Sequence, residues 1–312
     1  MPANTKPKTE RWMLVAGFAV IYLVWGTTYL AIKVGVAEVP PLIFAAERFM
    51  PAGMLVYAWC RWHGVPAPTV REWGAAAVPA VLMILVGYGC LFWGETRVAS
   101  GIAAVMPATI PVWVALLESL VLRLAPLSWR VIGGAVLGVA GVTLLVGPLG
   151  GGRTLAALVI LIGALSWAVG TVLVKRLPLP KSSAMSSAAQ MLLGGAMLAI
   201  AAVVSGQGGG WHPLAASRGA VFAWLYLVLA GSVLGYSAYV WLLGRVSATK
   251  VSSYALVNPV VALAVGWMLA GERVGASAIF GTIVVLAGLG LVLARPLKKD
   301  LASSPLKAEA GG

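Results

Sequence analysis

Ten runs of 18 to 22 mostly apolar residues punctuate the chain, at 12–32, 42–62, 73–93, 101–122, 129–146, 155–174, 183–204, 221–242, 251–271 and 276–294. A helix needs about 20 residues to cross a hydrocarbon core of about 30 Å. Lipid offers no water to backbone N–H and C=O groups, so a helix, which satisfies its own, is the default. The expected fold is all-α and integral to a membrane. Charged residues make up only 10% of the chain, too few for a solvated surface, and 61% are hydrophobic, which excludes disorder.

The formal net charge of +13 could suggest nucleic acid. No basic stripe with interleaved aromatics exists, and the cations sit in short connections where they set topology, so no nucleic acid is expected. The N-tail, the even-numbered connections and the C-tail hold 16 Lys and Arg; the odd-numbered connections hold 5. That bias places both termini in the cytoplasm. The run at 12–32 is too long for a signal-peptide core and reads as a retained first helix. Two cysteines, Cys60 and Cys90, form no metal motif, and His63 and His212 both lie in connections. Gly150–Thr154 lacks phosphate-loop spacing and no catalytic triad is visible, so neither an enzyme nor a cofactor is expected.

An internal repeat organises the runs. At an offset of 142, Trp25 meets Trp167, Lys33 meets Lys175, Arg48 meets Gln190 and Gly53 meets Gly195. At an offset of 148, Gly87-Tyr88 meets Gly235-Tyr236, Trp93 meets Trp241, Arg97-Val98 meets Arg245-Val246 and Pro111 meets Pro259. The six extra residues fall in the Gly-rich connection around 205–219, where insertions are cheap. Each repeat has five runs. Five is odd, so the second copy enters the membrane inverted, a pattern of secondary transporters whose solute sits where the repeats meet. The expected organisation is a tail at 1–11, a first repeat at 12–147, a linker at 148–154, a second repeat at 155–295 and a tail at 296–312.

Ionisable residues inside a bilayer are functional candidates by default. Three stand clearly inside the runs, away from their ends: Glu47, Arg48 and Glu118. Arg48 either faces the cavity and neutralises an anionic solute group, or pairs with a carboxylate or carbonyl between helices. Glu118 either snorkels or pairs structurally, or binds protons or a cationic solute. Glu47 and Glu118 are the candidates for proton coupling. Trp25, in Trp-Gly-Thr-Thr with Thr28, walls a pocket shared with Trp167 or simply packs. Pro111 and Pro259 share one role as kinks or pivots. Tyr254 and Asn258, at i and i+4, share one polar face. Gly134, Gly138 and Gly141 suit close helix packing.

Several stretches resemble the EamA branch of the drug/metabolite transporter superfamily, and within it the YedA-like inner-membrane permeases. They are Tyr22–Leu30, Pro40–Leu42 through Arg48-Phe49, Ser100–Ala104, Tyr254 through Asn258-Pro259, and Gly271-Glu272. The resemblance spans about 12–295. It implies ten helices around a central cavity and export of small metabolites or drugs. Among the cavity or gating residues it implies are Trp25, Arg48 and Pro111, with Trp167, Asn258 and Pro259. Two departures stand out: Arg123-Leu124 occupies the place matching Gly271-Glu272, and Gln190 the place matching Arg48. The expected partners are a small-molecule solute and the lipid bilayer, with a proton as candidate coupling ion and a homo-oligomer as one option for assembly. The alternative function is an uncoupled channel or uniporter.

Overall fold

The computed structural model describes residues 8–123, 126–146, 151–208 and 216–294. Among these, all regular structure is helical. In chain order the helices are α1 (Lys8–Val36), α2 (Pro41–Trp62), α3 (Val70–Glu95), α4 (Ser100–Val121), α5 (Trp129–Val146), α6 (Gly151–Leu173), α7 (Ser183–Val204), α8 (Arg218–Leu243), α9 (Ala248–Ala270) and α10 (Ala276–Leu293). Eight are long and apolar enough to cross a membrane by length and composition. Of the other two, α5 is a shorter apolar helix, and α2 has its apolar run diluted by Glu47 and Arg48. The expected tails at 1–11 and 296–312 and the linker at 148–154 lie wholly or partly outside the described residues, as does His212.

Local chemistry sets the helix ends. Pro41 opens α2 at a position where its missing N–H costs nothing. Thr69 and Glu72 form a reciprocal capping box at the start of α3. Ser182, Ser217 and Ser247 cap α7, α8 and α9 with side-chain oxygens. Gly271 ends α9 in the left-handed region at φ +62°. Arg123, its counterpart at offset 148, takes the same turn at φ +53° despite its Cβ. Replacing Arg123, which is exposed, with Gly is expected to stabilise the protein by about 0.5–1 kcal/mol. Chemical unfolding in micelles measures this; a loss of stability would mean that the Arg123 side chain has a structural role beyond the turn.

Two helices depart from regular α geometry at matching places. The middle of α3 (Ala80–Tyr88) and of α8 (Leu227–Tyr236) is π-helical. These wide turns release carbonyls that neighbouring helices take up. Ser166 Oγ donates to the Leu82 carbonyl (2.7 Å), and Trp25 Nε1 donates to that of Gly231 (3.1 Å). In α4, Pro107 introduces a 3-10 turn at Met106–Thr109, and α9 carries a turn at Ser252–Ser253.

Glycines set the closest helix crossings. The α2–α7 and α5–α10 pairs make the most extensive contacts in the fold. At the first crossing, a Cβ on Gly53 would lie 2.9 Å from the Leu192 backbone nitrogen, and one on Gly195 2.8 Å from that of Met50. At the second, Cβ atoms on Gly134 and Gly141 would each fall 2.7 Å from the Gly288 and Gly281 carbonyl oxygens. Small residues let backbones approach where lipid supplies no hydrophobic drive between helices. Large apolar side chains such as Val136, Val139, Phe222 and Phe280 stay exposed around the outside, as a lipid-facing surface requires.

Candidate functional site

At the centre, aromatic rings from both halves converge. The Trp25 and Trp167 rings meet edge to face with centroids 5.8 Å apart. Trp25 also packs at 5.1 Å against both Tyr239 and Tyr254, and Trp167 at 5.3 Å against Tyr88. Polar edges are tied inward: Trp167 Nε1 donates to the Tyr239 hydroxyl (3.0 Å), which also shares a hydrogen bond with Thr171 Oγ1 (2.6 Å). The cluster surrounds a cavity of about 50 Å³ lined by Trp25, Thr28, Tyr88, Pro107, Trp167 and Tyr254, among others. Liquid water occupies about 30 Å³ per molecule, so this space suits a water or two and not a metabolite. The walls must part for a solute to enter.

Arg48 lies directly behind this wall, fully buried. Its Nε donates to Ser232 Oγ (2.8 Å) and its Nη2 reaches the Tyr88 hydroxyl (3.5 Å). The guanidinium carbon stands over the Tyr88, Phe49 and Phe92 rings at 4.6, 4.8 and 5.9 Å. Its Nη1 has no hydrogen-bond partner. The hydrogen-bond partners are thus hydroxyls, and no carboxylate is among them. Gln190, which matches Arg48 at offset 142, accepts a hydrogen bond from Tyr236, which matches Tyr88 at offset 148 (2.8 Å). The two halves therefore present the same tyrosine to different side chains, one cationic and one neutral.

Four of the eight expected cavity or gating residues, Trp25, Thr28, Trp167 and Tyr254, come together on the cavity; the others stand elsewhere. Pro111 and Pro259 are buried inside α4 and α9 but do not line it. The proline at the cavity is Pro107. With its side-chain nitrogen turned toward them, the Asn258 amide donates to the carbonyls of Tyr22 and Ile21 (2.9 and 3.2 Å) and so fastens α9 to α1. Glu47 lies along a separate apolar cleft of about 590 Å³ between α2, α7 and α8, and its backbone carbonyl accepts from Trp224 Nε1 (2.9 Å). Glu118 accepts from Thr249 Oγ1 (3.1 Å), linking the end of α4 to the start of α9.

The opposite end of the same helix pair carries a matching link. Glu272, just past α9, accepts from the backbone N–H groups of Ser100 and Gly101 at the start of α4 (2.9 and 3.3 Å). A carboxylate at a helix N-terminus is favourable. Each carboxylate thus ties its helix to the N-terminal turn of the other. The lysines that match in the repeat also do one job: Lys33 Nζ donates to the Val98 carbonyl (2.9 Å) and Lys175 Nζ to that of Val246 (2.6 Å). Near the Lys33 end, outside the helices, the Ser217 hydroxyl and N–H hold the Glu38 carboxyl below the usual carboxylate range.

Tyr239, Ser232 and Glu95 escape a reading of the sequence. Glu95 falls beyond the run at 73–93, yet α3 continues through it and buries it completely. Gly94, a poor helix former, follows Trp93 directly, so the sequence carried no local signal that α3 goes on.

A bundle of long apolar helices closed over a small aromatic cavity defines a polytopic membrane protein. The EamA-like transporter family model matches the chain twice, at residues 11–147 and 154–294. The inner membrane transporter YedA of Escherichia coli (strain K12) is 36% identical over 289 residues, covering 89% of this chain and 92% of its own. A WAT1-related chloroplastic protein of Arabidopsis thaliana is 29% identical, covering 87% of this chain and 67% of its own. A solved crystal structure superposes with a TM-score of 0.63 at 21% identity, over 90% of this chain and 96% of its own, and shares the fold. The chain belongs to the EamA-like transporter family and is a membrane transporter.

Proposed function

We propose that the protein is a secondary transporter of the bacterial inner membrane that exports small metabolites or drugs by alternating access. In this reading all ten helices span the bilayer, as two inverted five-helix repeats with both termini cytoplasmic. The observation that carries it is the cavity itself. Trp25 and Trp167, equivalent by offset, face each other across it from α1 and α6. Such a site at a repeat interface opens to one side or the other as one half rocks against its partner. The Glu118–Thr249 and Glu272–Ser100 links at opposite ends of α4 and α9 suit alternately opening gates, both closed here. Aromatic walls favour solutes with an apolar or aromatic body, and Arg48 behind Tyr88 favours one with an anionic group. Amino acids and aromatic acids combine both.

Counterflow in proteoliposomes tests this reading. Vesicles are preloaded with a panel of amino acids, aromatic acids and cationic dyes, and uptake of labelled solute is followed. Trans-stimulated exchange of an anionic or zwitterionic aromatic compound is expected, reduced at least tenfold in Trp25→Ala. Movement without trans-stimulation would instead mark an uncoupled channel or uniporter.

A further inference from the structure

Both carboxyl oxygens of Glu95 are buried without a hydrogen-bond partner. The residue lies one helical turn past Leu91, which lines the central cavity. Charged or titratable groups act on it from every side: Lys33 and Tyr29 on α1, Arg48 on α2 and Glu272 after α9. None of these donates to its carboxyl. Lys33 instead spends two of its three donors on backbone carbonyls, that of Glu95 itself (2.7 Å) and that of Val98 (2.9 Å).

The repeat shows that the scaffold has no need of this carboxyl. The residue matching Glu95 at offset 148 is Leu243, equally buried. The lysine-to-carbonyl tie is kept there, at Lys175 and Val246, with Leu243 in the place of the acid. A buried, unpartnered carboxylate is costly, and its least costly companion is a proton. An acid that the fold does not require, held at that expense beside the cavity, points to a task in the cycle.

We propose that Glu95 is a proton-binding site of the transport cycle. In the closed state its carboxyl carries a proton. When the face bearing Lys33 and Glu272 opens, water enters, the O–H bond breaks, the proton passes to water, and the carboxylate left behind is hydrated and faces Lys33 and Arg48. Closing that face requires the proton back. This deepens the transporter reading above and rests on it.

Infrared difference spectra of the full chain in lipid nanodiscs at neutral pH test the site directly. A protonated carboxyl C=O band is expected in the wild type, lost in Glu95→Gln and in Glu95→Leu, and kept in Glu118→Gln. Glu95→Leu installs the residue that the second half buries at this place, and a monodisperse size-exclusion profile of each variant checks its folding. Identical spectra for wild type and both Glu95 variants would overturn the proposal. In proteoliposomes, with the solute found by counterflow, the ratio of pH-gradient-driven accumulation to counterflow is expected to fall at least tenfold in Glu95→Gln. An unchanged ratio would also overturn it. Absence of counterflow in the wild type would sink the transporter reading instead, while the carboxyl band still decides whether Glu95 holds a proton.

Discussion

Arg48→Gln is expected to leave a folded protein, at least as heat-stable as the wild type, whose solute exchange has fallen tenfold or more. The stability half of this result follows from burial. Arg48 is wholly enclosed, its hydrogen bonds go to Ser232 and Tyr88, and Nη1 has nothing to bond. A buried charge without a counter-ion costs about 3–5 kcal/mol, which offsets the packing lost with the shorter, neutral Gln side chain. Gln is also the side chain the second half uses against its own tyrosine, so the substituted amide can accept from Tyr88 as Gln190 accepts from Tyr236. The transport half follows from charge. If an anionic solute group meets the guanidinium when the Tyr88 wall parts, its loss removes a charge-assisted contact of about 1.5–3 kcal/mol. Exchange at the wild-type rate in a stable Arg48→Gln protein would reduce Arg48 to a packing element.

A large stability loss is expected at the α2–α7 crossing. Gly53→Ala and Gly195→Ala would each push a methyl group to under 3 Å from a backbone nitrogen of the facing helix. Backbone cannot swing away as a side chain can, so the helices must separate. Each change is expected to cost about 1–3 kcal/mol, and the pair enough to deplete folded protein. Gly138→Ala is the matched control, because nothing lies within 4 Å of its added Cβ. It should gain up to about 1 kcal/mol from helix propensity. Size-exclusion profiles and chemical unfolding of the three variants measure the difference. Equal stability for all three would show that α2 and α7 do not need their close approach.

The long helices were legible because membrane length is written directly in apolar runs. The matching roles of Trp25 and Trp167, of Lys33 and Lys175, and of Tyr88 and Tyr236 were legible because identical residues recur at fixed offsets. What could not be read is rotation about each helix. In a soluble helix the polar stripe marks the outer face, but these helices are apolar all round, so periodicity is silent. Hence nothing in the sequence said that Pro107 rather than Pro111 reaches the cavity, or that Asn258 turns toward α1. Glu95 was hidden for a different reason: hydropathy ends a helix where the apolar run ends, and α3 goes on for two residues more. The π-helical stretches left no trace, since Ala80–Tyr88 and Leu227–Tyr236 contain only residues that an ordinary α-helix would accept.

Those two wide-turn stretches make α3 and α8 torsionally soft at the level of the cavity. Moving one wide turn along its helix would rotate only the residues it passes, by about one residue, or 100°. Tyr88 and Tyr236 sit at the far ends of these stretches. A screw motion confined to the middle of two rods can therefore swing the tyrosines off Arg48 and Gln190 while both membrane-surface anchors stay where they are.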